Sequence, residues 1–251
     1  MWKPKGGEPD WGAFKIAGVQ INQITKHNRK IRRGTHRANQ FEIKVSELCG
    51  ERECLESRLE NVAKQGVPNY FGVQRFGRNA DNMNKAVSFF NGELQIKNRN
   101  LKSIVLSSAR SWLFNEIVSA RVGAANWQAL CENEPANLNG SNSVFFSQGN
   151  LEESQRLIDH DIHPTAPMWG EGAAKFMDQC TELANWESEI LDSYKELQSG
   201  LENARLEYQR RALRCSVRNL RWQLGESELL LSFELQRGQF ATSVLRELVN
   251  V

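Results

Sequence analysis

The 251-residue chain has no apolar run approaching the eighteen or so residues that a membrane helix needs, and Met1-Trp-Lys-Pro-Lys is not followed by a leader-type apolar core. Neither a membrane span nor a secretory signal is expected. Its five cysteines, Cys49, Cys54, Cys131, Cys180 and Cys215, are an odd, scattered set without CxxC spacing, so reduced thiols and a cytoplasmic location are expected. With 32 basic and 30 acidic residues the formal charge is only +2, which argues neither for nor against a nucleic-acid partner. GxSxG, Walker and GxGxxG patterns are all absent. Aspartate is scarce: Asp10, Asp81, Asp159, Asp161, Asp178 and Asp192 are the full set, and none follows a lysine.

Charge is instead concentrated locally. From Lys26 to Arg37 the chain reads KHNRKIRRGTHR, without an acid, whereas the stretch from Glu182 to Glu207 is rich in carboxylates. The basic block has the density of a phosphate-binding footprint, and a solvated turn is the alternative. Alternation predicts strands over 16–24 and 39–45, the second with Phe41, Ile43 and Val45 on one face. Leu55, Leu59 and Val62 predict a helix that stops at Gly66 and Pro68, and Ser107 or Ser108 is a candidate cap for a helix bearing Leu113, Ile117 and Val118. Asn150 with Glu153 predicts another helix start, and Gly172 to Leu213 shows three- and four-residue apolar steps. Near the end, Leu229, Leu231, Phe233 and Leu235 alternate, Gly238 breaks the run, and Phe240, Val244 and Leu248 recur at helical spacing. Strands at both ends of a helical middle predict an α+β fold in which one split sheet is interrupted by an insertion.

The segment Gly66-Val-Pro-Asn-Tyr-Phe-Gly-Val-Gln-Arg-Phe-Gly77 packs glycines, aromatics and an arginine where no core pattern demands them. It resembles the GVPNYFGxQRFG signature of the TruD family of tRNA pseudouridine synthases. Arg110-Ser-Trp-Leu-Phe-Asn-Glu-Ile-Val-Ser-Ala-Arg-Val122 and Phe240-Ala-Thr-Ser-Val-Leu-Arg-Glu-Leu-Val249 resemble the same family, in family order. The resemblance runs from about Phe14 to the C-terminus. It implies a mixed-sheet pseudouridine-synthase domain made of 1–67 and 216–251, incomplete at its N-terminus, around a helix-rich insertion domain over 68–215. It also implies tRNA as partner, conversion of uridine-13 in the D-arm region to pseudouridine, and no cofactor or metal. Family members carry a catalytic aspartate in a Gly-x-Lys-Asp segment that has no counterpart here, so the expectation is a truncated, inactive synthase or, alternatively, a non-catalytic tRNA-binding module.

Candidate site residues follow. Arg246 shares a helix face with Thr242 and Ser243, opposite the apolar stripe. Periodicity alone makes it a surface arginine, whereas the resemblance implies a guanidinium that holds the catalytic carboxylate ionised. Arg37-Ala-Asn-Gln-Phe-Glu42 resembles the family's Gly-Asn-x-Phe, with Ala38 in place of the glycine. Phe41 would then stack on the extruded uracil and Asn39 would bond the base or nearby backbone; a core-facing Phe41 is the alternative. Arg75 is a candidate for RNA phosphate or for pairing with Glu116, and Lys26, Arg29, Lys30, Arg32 and Arg33 for the tRNA backbone. Asn69 reads as a turn residue, Arg110 and Arg121 as helix-surface or interdomain pairs, and Trp169-Gly-Glu-Gly172, after Pro164 and Pro167, as a loop. His160 and His163 lack the second ligand pair of a metal site.

Overall fold

The computed structural model describes residues 10–13, 15–25, 35–173, 176 and 178–250. It divides into a unit over Met1–Arg37 and a unit over Ala38–Val251. In the first, Trp11–Ala13 forms a 3-10 turn. The strand expected at 16–24 is not there: Gly18, at φ 78°, lets the Val19 N–H reach the Ile16 carbonyl at 3.1 Å, and this closes the chain into a turn. Ile16, Val19 and Ile24 remain exposed. The basic block's Lys26, Arg29, Lys30, Arg32 and Arg33 lie outside the described residues.

The second unit runs β1 (Ala38–Ser46), α1 (Arg52–Gln65), β2 (Val67–Pro68), α2 (Asp81–Phe90), α3 (Arg99–Gly123), β3 (Pro135–Leu138), β4 (Val144–Phe146) and α4 (Leu151–Ile158). It continues with β5 (Ile162–Met168), α5 (Thr181–Ile190), α6 (Lys195–Asn203), β6 (Gln209–Ala212), β7 (Arg214–Cys215), β8 (Arg218–Leu224), β9 (Glu228–Gln236) and α7 (Ala241–Leu248). The fold is α+β. The strands group as β1-β9-β8, β2-β7 and β4-β3-β5-β6, and every ladder is antiparallel.

Opposite ends of this unit close the first sheet, with Phe41 opposite Phe233 and Val45 opposite Leu229. Alternation then sends Leu229, Leu231, Phe233 and Leu235 to one face, where Leu59 and Val62 of α1 and Val244 and Leu248 of α7 cover them. A second core gathers on α3, whose Val105, Ala109, Leu113, Phe114, Ile117 and Val118 are fully buried against Phe71, Phe76, Leu191 and Leu201. Each valine, leucine, isoleucine and phenylalanine among them contributes roughly 1.5–3 kcal/mol by leaving water. Among the described residues no helix is long and apolar enough to cross a membrane.

Two local expectations need correction. α3 begins at Arg99, not near Ser107, because the Asn98 side chain accepts from the N–H groups of Asn100 and Leu101 at 2.9 and 3.1 Å. The stretch after Gly172 is split, since α5 gives way to a 3-10 turn at Asp192–Tyr194 before α6, and β6 follows. The prolines ahead of the expected loop at Trp169–Gly172 lie in an inner strand, Pro164 opposite Ala136 and Pro167 opposite Arg210. Two prolines cannot donate to a ladder, so this segment reads as irregular from sequence.

Buried polar groups hold this second sheet in place. The His163 imidazole is 1% exposed and accepts from Arg214 Nε at 3.0 Å. Burial first, then the charge of Arg214, pushes its pKa down to about 3. Below about pH 6.5 the unfolded chain takes up a proton that the folded chain refuses. Stability is therefore expected to fall with pH from 6.5 downward, by at most about 1.4 kcal/mol per pH unit from this group. Urea midpoints of wild type and His163→Gln between roughly pH 6.5 and 5 check this. The variant's slope should be flatter, and parallel slopes would contradict the assignment.

Candidate functional site

The three signature segments meet at Tyr70 and Phe71. Gly66, at φ 72°, ends α1, and a Cβ there would stand 2.5 Å from the Cys215 carbonyl oxygen, so only glycine lets α1 turn directly into the β2-β7 ribbon. From there the chain is fixed by side chains of the other two segments. The Phe71 N–H donates to Asn115 Oδ1, and Asn115 Nδ2 donates to the Phe71 carbonyl, both at 2.9 Å. Ser243 Oγ of α7 donates to the Tyr70 carbonyl at 2.9 Å. Asn69, expected as a turn residue, is buried and donates to the Ala212 carbonyl at 2.8 Å.

On this junction Arg246 lies with its guanidinium carbon 4.6 Å from the Tyr70 ring centre. Tyr70 is half-buried, and burial raises its pKa above the usual phenol range, although a Ser119 hydrogen bond and the Arg246 charge oppose that. Glu247 and Glu116 are the carboxylates that act on this tyrosine. Among the described residues Arg246 makes no hydrogen bond or ion pair, so its fork stays exposed and open to an anion. The aspartates of this unit lie elsewhere: Asp81 pairs with Lys85, Asp161 with Arg156 and Asp192 with Lys195, while Asp159 accepts from Gln155.

Phe41 stacks on Phe233 with ring centres 5.4 Å apart and is half-buried. It packs on the face of the β1-β9-β8 sheet that α7 also covers, so it and the helix bearing Arg246 share one side. Asn39 is exposed opposite Leu235 and makes no side-chain hydrogen bond among the described residues. Ala38 begins β1 with an ordinary negative φ, so the backbone here does not need the family's glycine.

Arg75 does not pair with Glu116. Its Nη1 donates to Ser107 Oγ at 3.1 Å, its guanidinium lies 5.1 Å from the Phe71 ring, and Ser108 Oγ donates to its backbone carbonyl at 2.7 Å. The serines expected to cap a helix thus hold this loop. Arg110 is half-buried and Arg121 buried. Arg110 donates to the Met168 and Glu207 carbonyls, and Arg121 forms a buried 2.8 Å pair with Glu134. His160 Nδ1 contacts Ser216 Oγ at 3.1 Å, and burial lowers the pKa of this imidazole.

Sequence reading missed Arg211. It lies 4.3 Å from the Phe71 ring on the side chain's way to Asn69 Oδ1 and the Gly238 carbonyl, and burial pushes its pKa down to about 10. The only signal was its place in the arginine-rich run Arg210-Arg-Ala-Leu-Arg214, which has no helical or strand period to single it out.

A family model described as tRNA pseudouridine synthase D (TruD) matches residues 5–88 and 80–248. The tRNA pseudouridine synthase D of Aeromonas hydrophila is 41% identical over 248 residues, 98% of this chain and 69% of the relative. That of Pseudomonas syringae is 37% identical, covering 99% of this chain and 70% of the relative. Among solved structures, a Methanosarcina mazei protein described as a tRNA pseudouridine synthase D superposes with a TM-score of 0.64 at 16% identity, covering 96% of this chain and 75% of that one. The last likeness shows the fold. Similarity of this kind over nearly the whole chain defines the class as tRNA pseudouridine synthases. The chain belongs to the TruD family.

Proposed function

We propose that this chain binds tRNA as a TruD-type pseudouridine synthase does, with uridine-13 of the D arm as the target, but without a nucleophile of its own. The observation that carries this reading is Arg246, an exposed guanidinium on Tyr70 without a carboxylate partner among the described residues, on a helix that packs on the same sheet face as Phe41. In this reading Phe41 stacks on the uracil once it leaves the RNA stack, Asn39 bonds its polar edge, and Arg246 faces the place of the absent aspartate. The division into a synthase domain (1–67 and 216–251) and an insertion (68–215) is supported by the two hydrophobic cores, one on the β1-β9-β8 sheet and one on α3. A cytoplasmic location belongs to the same reading.

The basic block from Lys26 to Arg37 supplies backbone contacts. Phosphate neutralisation releases counterions, so affinity for unmodified tRNA should fall steeply with salt. Replacing Arg29, Lys30, Arg32 and Arg33 together by alanine should weaken binding and flatten log Kd against log salt by up to about 0.9 per lost contact. An unchanged affinity and slope would make the block a solvated turn. Failure of the wild-type chain to bind tRNA at all would overturn the whole reading.

A further inference from the structure

One cavity of about 370 Å³ lies beside the signature loop, lined by Gly72, Gln74, Arg75, Asn82, Ile104, Phe240 and Thr242. Its size is at the lower end for small-ligand sites. Three features set it apart from a simple surface dent. The first is charge: among the described residues no carboxylate lines it, and Arg75, half-buried, makes one side-chain hydrogen bond, to Ser107 Oγ, which leaves most of its five N–H donors unused. Behind it Arg211 adds a second enclosed positive charge, whose side-chain partners are Asn69 Oδ1 and the Gly238 carbonyl rather than an acid. Two cations screened by aromatic rings and without a counter-charge favour an incoming anion.

The second feature is apolar surface left in water. Ile104 on α3 is 48% exposed, and Val73, between the lining residues Gly72 and Gln74, is 83% exposed. Phe240 completes a wall whose ring also lies 6.0 Å from the Arg75 guanidinium carbon. The third is the set of neutral polar groups, the Gln74 and Asn82 amides and the Thr242 hydroxyl, which offer donors and acceptors together. Gly72 keeps the space open: a Cβ on it would lie 3.0 Å from Thr242 Oγ1.

We infer that this cavity holds one nucleotide of a single-stranded RNA segment, with its phosphate on Arg75 and its base against Ile104 and Phe240. A base has apolar faces for the wall and a polar edge for the amides, and its phosphate supplies the negative counter-charge for Arg75. The inference rests on the tRNA-binding reading and adds to it a subsite for a second nucleotide, apart from the uracil position assigned to Phe41.

The test measures binding of the full chain to unmodified tRNA and to a fluorescent single-stranded oligoribonucleotide over a range of potassium chloride. Arg75→Gln should weaken both and lower the salt slope by about 0.7–0.9, one phosphate contact. Ile104→Ala should weaken both by about fivefold or more while leaving the slope unchanged, since base stacking releases no counterions. Ile104 is exposed, so if Arg75→Gln melts early the decision passes to Ile104→Ala. Wild-type affinity and slope in the folded variants, with tRNA binding intact, would overturn the subsite alone. Absence of tRNA binding by the wild-type chain would overturn both readings.

Discussion

Prolonged incubation of the purified chain with unmodified tRNA is expected to yield no pseudouridine above background, even where the tRNA is bound. The isomerisation needs a positioned carboxylate, and no Lys-Asp step exists anywhere in the sequence. Losing a nucleophile costs a factor on the order of 10⁶ in enzymes that depend on one. Of the five aspartates of the second unit, four are bonded to residues away from Arg246, and Asp178 is exposed on the stretch before α5. Quantification of pseudouridine by mass spectrometry after nuclease digestion checks this. Product above background would overturn the prediction and point to Glu116 or Glu247, the carboxylates acting on Tyr70. Glu116→Gln and Glu247→Gln would then tell which one.

The second large effect concerns stability. Glu187→Ala should destabilise the protein by about 3–5 kcal/mol, because it strands a guanidinium in the interior. Arg210 and Glu187 are each 2% exposed and joined by two hydrogen bonds, at 2.7 and 2.8 Å. Arg210 also donates to the Thr165 carbonyl and hydroxyl and to the Tyr208 hydroxyl, so it cannot swing out to water without breaking β5 from β6. The carboxylate of Glu187 keeps the Arg210 pKa raised against the opposing effect of burial. A drop of roughly 6–20 °C in Tm is expected for a domain of this size. The exposed pair Lys44–Glu228, about half accessible on both sides, is the control, and Glu228→Ala should change stability by less than about 1 kcal/mol. Equal effects in the two variants would mean that the buried pair is not what joins α5 to the sheet.

Much of the fold was legible because its signals are local. The apolar steps of Leu55, Leu59 and Val62 give α1, and the alternation from Leu229 to Leu235 followed by Gly238 gives β9 and the turn into α7. The sheet made by β3 to β6 was not legible: Pro164 and Pro167 mimic a loop, and β3 and β4 span only four and three residues, too few to show a period. Capping serines were misplaced for a related reason. A hydroxyl that donates to a loop carbonyl, as Ser108 does to Arg75, looks in sequence like one that caps a helix.

The sequence by itself determined the family, through the segment from Gly66 to Gly77 with its companions in α3 and α7. It also singled out Arg246, Phe41 and Arg75 as residues with a possible role beyond packing. The tertiary structure alone decided what those residues touch. Arg246 lies on Tyr70, Arg75 is held by Ser107 between aromatic rings, and Arg211 of β6 meets the Phe71 ring. Helical and strand periods specify which face a side chain leaves by, because they follow from backbone geometry over a few residues. They are silent on which distant face it meets, since that depends on how two buried cores and the ribbon joining them close around the same aromatic junction.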